Sequence, residues 1–212
     1  MGRYTGPKCK LCRREGTKLF LKESLCVSGK CPLLKRKYAP GQHGAALAGR
    51  SKLSEYGKQL REKQKAKRIY RLLEDQFHST FVRATLQKGT AGENFLRLLE
   101  KRLDNTIYRL GLGLSRDTAR QMVGHGHVKV NDHKVDIASY EVSVGDKICL
   151  KASSPLMARI IERLGNGKNE ANVPTWLTLD TKTLQAQVMA EPAATDLPQD
   201  IDTKLIVEFY SR

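Results

Sequence analysis

The spacing of apolar positions divides the chain into a polar opening, a helical middle and an alternating stretch behind it. From Ser54 to about Ala84 it predicts one long helix. Ile69, Leu72, Leu73, Gln76, Phe77 and Phe81 recur at helical intervals in its second half, whereas the first half is polar nearly all round. One half is built to pack and the other to be presented. Gly89 to Gly92 interrupts the pattern, and a second helix is predicted over Glu93 to Leu110, where Phe95, Leu98, Leu99, Leu103, Ile107 and Leu110 repeat before Gly111 and Gly113 end it. Ser115 is a good N-cap for a short helix over Arg116 to Val123, with Asp117 in the first turn, where the helix dipole favours negative charge; Gly124 and Gly126 stop it. The period then switches to two. His127 to Val130 alternates, Asn131-Asp132 is turn material, and a second strand is expected around Lys147 to Lys151. The fold class expected is α+β: a mostly helical first domain, then two short helices followed by a small antiparallel sheet. Leu103, Ile107, Leu110, Ala119, Met122, Val123, Val128 and Val130 are assigned to the core, and Trp176 to a packing anchor between domains.

The 212 residues allow one large or two small domains, and 40% hydrophobic residues suffice for a folded core. Charge changes the picture more. Residues 1–83 hold 21 Lys and Arg against 6 Asp and Glu, while residues 84–212 hold 17 against 16, so nearly all of the net +16 lies in the first part. A basic half joined to a balanced half points to a polyanionic partner, because neutralised phosphates release counterions. A membrane surface fits poorly: residues 61–68 (REKQKAKR) have only Ala66 as an apolar member, and a surface-lying helix needs a continuous apolar face. No apolar run approaches the roughly 18 residues of a spanning helix, and the opening MGRYTG has no apolar signal core. The expectation is a soluble, intracellular, cytoplasmic protein.

Candidate metal chemistry sits inside the basic segment. Two residues separate Cys9 from Cys12, thirteen separate Cys12 from Cys26, and four separate Cys26 from Cys31. Paired thiolates at such spacing can gather around one tetrahedral ion, and four soft sulfurs select zinc or an iron–sulfur cluster. A disulfide or four unconnected cysteines is the alternative. A closed four-sulfur site leaves no coordination position for substrate, so its expected role is to stabilise a short segment that could hardly fold alone. Lys8, Lys10, Arg13 and Arg14 bracket the first thiolate pair, Arg3 precedes them, and Lys58, Arg61, Lys65, Arg68 and Arg71 recur every three or four residues as a basic stripe. His43 is a ligand, an RNA contact or a packed loop residue.

The run RLDNTIYRLGLGLSRDTARQMVGHGHVKVNDHKVD, residues 102–136, resembles the RNA-binding helix–helix–strand module named after ribosomal protein S-four. The likeness extends to GPKCKLCRREG at 6–16, APGQHG at 39–44, LREKQKAKRIYRLLEDQF at 60–77, PTWL at 174–177 and IVEFYSR at 206–212. Together these resemble the bacterial small-subunit ribosomal protein S-four family in its cysteine-containing, zinc-type form.

That resemblance implies a primary binder of small-subunit (16S-type) rRNA that nucleates the body of the subunit. It implies ribosomal proteins five and twelve as neighbours, mRNA nearby on its path into the subunit, and an influence on translational accuracy. It also implies a domain order: a metal-binding basic arm at 1–45, a helical domain at 46–92 completed by a tail at 175–212, and an inserted RNA-binding module at 93–174. Within the module, Arg116 and Arg120, four apart, with His125, His127 and Lys129, are expected to form the RNA face. The acidic tail residues Glu191, Asp196, Asp200 and Asp202 are expected to face solvent or basic proteins. No small-molecule substrate and no enzyme is expected. The same module rides on some RNA-modifying enzymes, but no phosphate loop, His-Glu-His metal pattern or glycine-flanked serine accompanies it here, and Asp104 beside Arg102 is read as a structural partner.

Overall fold

The computed structural model describes residues 4–46, 53–151, 160–162, 173–181 and 183–212; Arg3 lies outside them. The chain forms two units, Met1–Gly92 with Pro198–Arg212, and Glu93–Leu197.

In the first unit, α1 (Lys8–Glu15), α2 (Glu23–Val27) and α3 (Pro32–Lys35) make up the cysteine-bearing arm. α1 ends at Gly16, whose φ of 73° lies in the left-handed region that glycine adopts without strain. Cys12, Leu19 and Leu21 are buried together, with Leu11 and Ile69 packed against them, which ties the arm to the end of α4 (Glu55–Ile69). Ser54 caps α4 by accepting from the Gly57 amide at 3.1 Å. The single helix expected as far as Ala84 is two, because α4 ends at Tyr70 and α5 runs from Glu74 to Thr85. Arg71 takes a φ of 60°, and the Leu72 amide reaches back to the Lys67 carbonyl while the Arg71 amide reaches that of Arg68. That is the terminating motif usually built on glycine. An arginine holds it because its buried guanidinium donates to the Tyr4 carbonyl at 2.8 Å.

The last helix of this unit, α9 (Thr203–Tyr210), begins at Asp202, which accepts from the Lys204 amide at 3.0 Å. It packs along α4: Gln59 donates to Glu208 at 2.8 Å, and the Tyr210 ring lies 4.6 Å from that of Phe81. Beneath it Lys63 is buried, donating to Glu74 at 2.5 Å and lying 4.6 Å from the centre of the Phe209 ring. Lys67 and the Tyr210 hydroxyl donate to the same carboxylate at 2.6 and 2.9 Å.

In the second unit the helix expected over 93–110 is also two, α6 (Ala91–Glu100) and α7 (Leu103–Arg109). The break falls at Arg102, whose extended backbone pairs with Glu141, while Leu103 donates to the Tyr140 carbonyl at 2.7 Å and Val142 to that of Lys101 at 2.9 Å. Strand-like pairing across about forty residues overrides helical periodicity. Ser115 caps α8 (Arg116–Gly124) through the Thr118 amide, and Gly126 closes it at a φ of 70°.

Five strands follow: β1 (Val128–Val130), β2 (His133–Lys134), β3 (Lys147–Leu150), β4 (Leu177–Asp180) and β5 (Gln185–Val188). They form one antiparallel sheet in the order β2-β1-β3-β5-β4. The small sheet is thus extended by two strands from residues 177–188. The tail assigned from 175 onward to the helical domain is corrected accordingly: only 198–212 belong to the first unit, because β5 completes the backbone hydrogen bonding of β3. All eight residues assigned to the core are buried here, joined by Ile148, Leu184 and Trp176. Trp176, expected between domains, is a core residue of this unit alone.

Three donors converging on Glu74 outweigh the burial that raises its pKa and hold it at about 2. A depressed carboxylate pKa stabilises the fold above the ordinary value near 4.3 and is lost as pH falls from there toward the folded value. Glu74→Gln should lower stability at pH 7 by about 1 kcal/mol, the partial exposure of the group being allowed for. Denaturant unfolding of parent and variant should converge as the pH approaches 2; a difference independent of pH would contradict this role.

Candidate nucleic-acid interface

The fold sorts cations into those with a carboxylate beside them and those without. On α4 the expected stripe is present in spacing and largely matched. Arg61 reaches the buried Glu15 carboxylate at 3.4 Å and Arg68 closes on the same oxygen, so the end of α1 sits under the stripe. Burial pushes the Glu15 carboxyl up, and Arg68 and Arg61 pull against it. Lys65 donates to Glu62 at 3.0 Å and also to the Asp200 carbonyl, while Lys58 pairs with Glu55 at 2.7 Å on the open surface. Exposed pairs of this kind contribute little and exchange readily for a phosphate. Arg71, buried against Tyr4, leaves the stripe.

In the second unit Arg116 and Arg120 share a face of α8, as their spacing requires, but it is the flank that meets α7. Arg102 clamps Asp104 through two hydrogen bonds of 3.1 and 2.9 Å, and Arg120 adds a third at 3.1 Å, all three side chains being buried. Burial lowers the Arg120 pKa and Asp104 raises it again. Arg120 is therefore an internal tie, and its place on the outer RNA face is corrected. Arg116 is half-buried, donating to Asn105 Oδ1 at 2.8 Å with its guanidinium 4.4 Å from the centre of the Tyr108 ring. A second internal group lies alongside: Glu100, fully buried, accepts from Arg109 at 2.7 and 2.8 Å and from Asn105 at 2.8 Å.

The outward cations of this unit gather at the turn after α8. His125 is exposed, His127 and Lys129 are half-buried, and the two imidazole rings lie 6.1 Å apart. β1 and β2 pair so that Lys129 stands opposite Lys134. Like charges directly opposed destabilise a ladder unless an anion lies between them. The Lys134 stem also lies against Gly126, where a Cβ would come within 2.1 Å of its Cε. Lys134 and His133 therefore join the predicted set; the tight register of the Asn131-Asp132 turn was the signal for them. The tail acids take internal partners: Glu191 pairs with Lys101 at 3.0 Å, Asp196 accepts from Thr175 at 2.9 Å, and Asp202 caps α9.

In the arm, Cys9 and Cys12 stand one turn apart on α1, Cys26 lies in α2 and Cys31 precedes α3. All are free thiols, and Cys12, Cys26 and Cys31 are buried. Cys26 Sγ accepts from the Lys22 amide at 3.2 Å. Burial pushes the Cys12 thiol up, the Leu19 amide draws it down, and the other three sulfurs push it up again. Four sulfurs close enough to feel one another, with amides aimed at two of them, fit zinc in donor chemistry. Among the described residues no three His, Cys, Asp or Glu side chains stand at the closeness of a formed metal centre. Around them Lys10 and Arg14 are exposed, Lys8 is half-buried, and Arg13 is held by the Tyr38 carbonyl at 3.0 Å. Among the described residues no helix is long and apolar enough to cross a membrane.

Residues 3–100 match the family described as ribosomal protein S4/S9 N-terminal domain, and residues 101–148 match the S4 domain. The chain is 53% identical over 214 residues to the small ribosomal subunit protein uS4A of Clostridium perfringens, with both chains covered in full. It is 52% identical over 215 residues to the uS4 protein of Heliobacterium modesticaldum and 53% identical over 212 residues to the uS4A protein of Alkaliphilus oremlandii, again over the whole of each chain.

Asp104→Ala strands two buried guanidiniums and should destabilise the second unit by about 3–5 kcal/mol. Arg116→Ala should cost about 1 kcal/mol, as expected for a half-buried pair. Denaturant midpoints of the two variants would check the order, and equal losses would contradict it.

Proposed function

The chain belongs to the uS4 ribosomal protein family, and on that premise we propose that it is a primary rRNA-binding protein which nucleates assembly of the small-subunit body. It is a component of the small ribosomal subunit of bacterial type, hence cytoplasmic, that binds small-subunit rRNA. It acts by binding and not by catalysis. The observation that carries this reading is the match to uS4 proteins from end to end at 53% identity. The physical chemistry agrees. Folded RNA is recognised through shape, phosphates and 2′-hydroxyls, which calls for spaced cations on rigid elements. The arm, the exposed face of α4 and the turn at His125–Lys134 supply them.

Two finer assignments belong to the same proposal. The four cysteines hold one zinc ion, whose function is to fix the arm and so to aim Lys8, Lys10, Arg13 and Arg14; burial of three sulfurs and the amide donors support this. Iron–sulfur is the alternative that the same donor set permits. Ribosomal proteins five and twelve are its neighbours, with mRNA close by, and through them it influences translational accuracy; membership of the family supports this.

The test is the affinity of full-length protein, purified with zinc, for the 5′ domain of small-subunit rRNA against a length-matched structured RNA across a salt series. Selective binding that survives about 200 mM salt is expected, since a purely electrostatic grip collapses there; equal, salt-fragile binding to both RNAs would contradict the reading. In the same series Cys9→Ser should lose its zinc by atomic spectroscopy and amide protection over the first ~45 residues, and bind RNA more weakly. Unchanged protection would contradict the zinc assignment.

A further inference from the structure

Across from one another, α1 and α3 enclose a cavity of about 380 Å³. Its apolar walls are Pro7 and Pro32, and Lys10 and Arg13, one turn apart on α1, face Lys30, Lys35 and Arg36 on the other side. Among the described residues no aspartate or glutamate lines it. This departs from the pattern elsewhere in the unit: Arg61 and Arg68 share Glu15, Lys63 and Lys67 share Glu74, and Lys65 has Glu62. Five cations drawn around one concavity without a carboxylate repel one another until an anion enters.

One of them is already aimed. Arg13 donates to the Tyr38 carbonyl at 3.0 Å and the Ala39 carbonyl at 3.3 Å, with its guanidinium 4.8 Å from the centre of the Tyr38 ring. These partners fix its direction and leave its full charge uncompensated. The volume exceeds what a bare phosphate needs and falls in the usual range of small-ligand sites, roughly 300–1,000 Å³. The proline walls offer contact to something uncharged attached to the anion.

Resting on the reading of the chain as an rRNA binder, we propose that this cavity seats one nucleotide of an RNA strand. Its phosphate lies among Lys10, Arg13, Lys30 and Lys35, its sugar or base lies against Pro7 and Pro32, and Arg36 meets a neighbouring phosphate. Single-stranded RNA presents splayed nucleotides of this kind, and the number of cations suits a strand that carries charge on either side of the seated residue.

Lys30 and Lys35 are both exposed, so their replacement leaves the packing intact. With full-length protein purified with zinc, Lys30→Gln with Lys35→Gln should reduce the slope of log affinity against log salt for the 5′-domain RNA by one to two units, about 0.9 for each phosphate that is no longer neutralised. Lys30→Arg with Lys35→Arg should restore it. An unchanged slope in the glutamine pair, with parental circular dichroism and retained selectivity for the 5′ domain, overturns the cavity assignment alone; loss of selectivity in the parent protein overturns the functional reading beneath it. Adenosine monophosphate is the second probe. Amide shifts confined to 30–36 at millimolar nucleotide, abolished by the RNA, are expected. Micromolar binding that persists in the RNA complex would assign the cavity to a free nucleotide and overturn the proposal.

Discussion

Self-repulsion is the constraint on which the rest of this structure depends. A chain with a net charge of +16 has to fold before any polyanion relieves it. It does so by burying carboxylates beneath its own cations: Glu15 under Arg61 and Arg68, Glu74 under Lys63 and Lys67, Glu100 against Arg109, and Asp104 between Arg102 and Arg120. Each of these sits at a junction of elements. Glu15 joins the arm to α4, Glu74 joins α4 to α5 and through Tyr210 to α9, and Asp104 joins α7 to α8. Removing one partner of such a group strands a buried charge, which is why so few carboxylates specify so much of the fold.

What remains is the functional surface. Cations without internal partners are the ones a phosphate can recruit without first breaking a native interaction. They concentrate in the arm, at the exposed part of α4 and around the hairpin where Lys129 and Lys134 stand opposed. A balanced distribution would have left the RNA competing with carboxylates everywhere. The division also explains why the buried arginines contribute to affinity only through geometry, by holding the module that carries His125, His127 and Lys129.

Local signals were legible in the residues. Ser54 and Ser115 cap the helices they precede, Gly126 ends α8, and every residue assigned to the module's core is buried. Features set by distant partners were not. The break at Arg71 depends on a carbonyl sixty-seven residues away, and that at Arg102 on backbone pairing with Glu141, neither of which periodicity along the chain can register. Strands β4 and β5 were passed over although Leu184, Ala186 and Val188 alternate with Gln185 and Gln187, because four-residue runs rich in glutamine carry little strand propensity. Arg120 was misplaced for a similar reason. Spacing says that it shares a face with Arg116, and only the position of Asp104 says which way that face turns.

The central claim is that internal pairing decides which cations meet RNA. Lysine acetylation of the full-length protein, free and bound to small-subunit rRNA, with each site quantified by mass spectrometry, tests it most directly. The account predicts that Lys10, Lys30, Lys35, Lys129 and Lys134 react in the free protein and are protected by RNA. It predicts that Lys63, buried between Glu74 and Phe209, reacts in neither state. Uniform protection of all lysines, or protection that spares the arm and the hairpin, would contradict it.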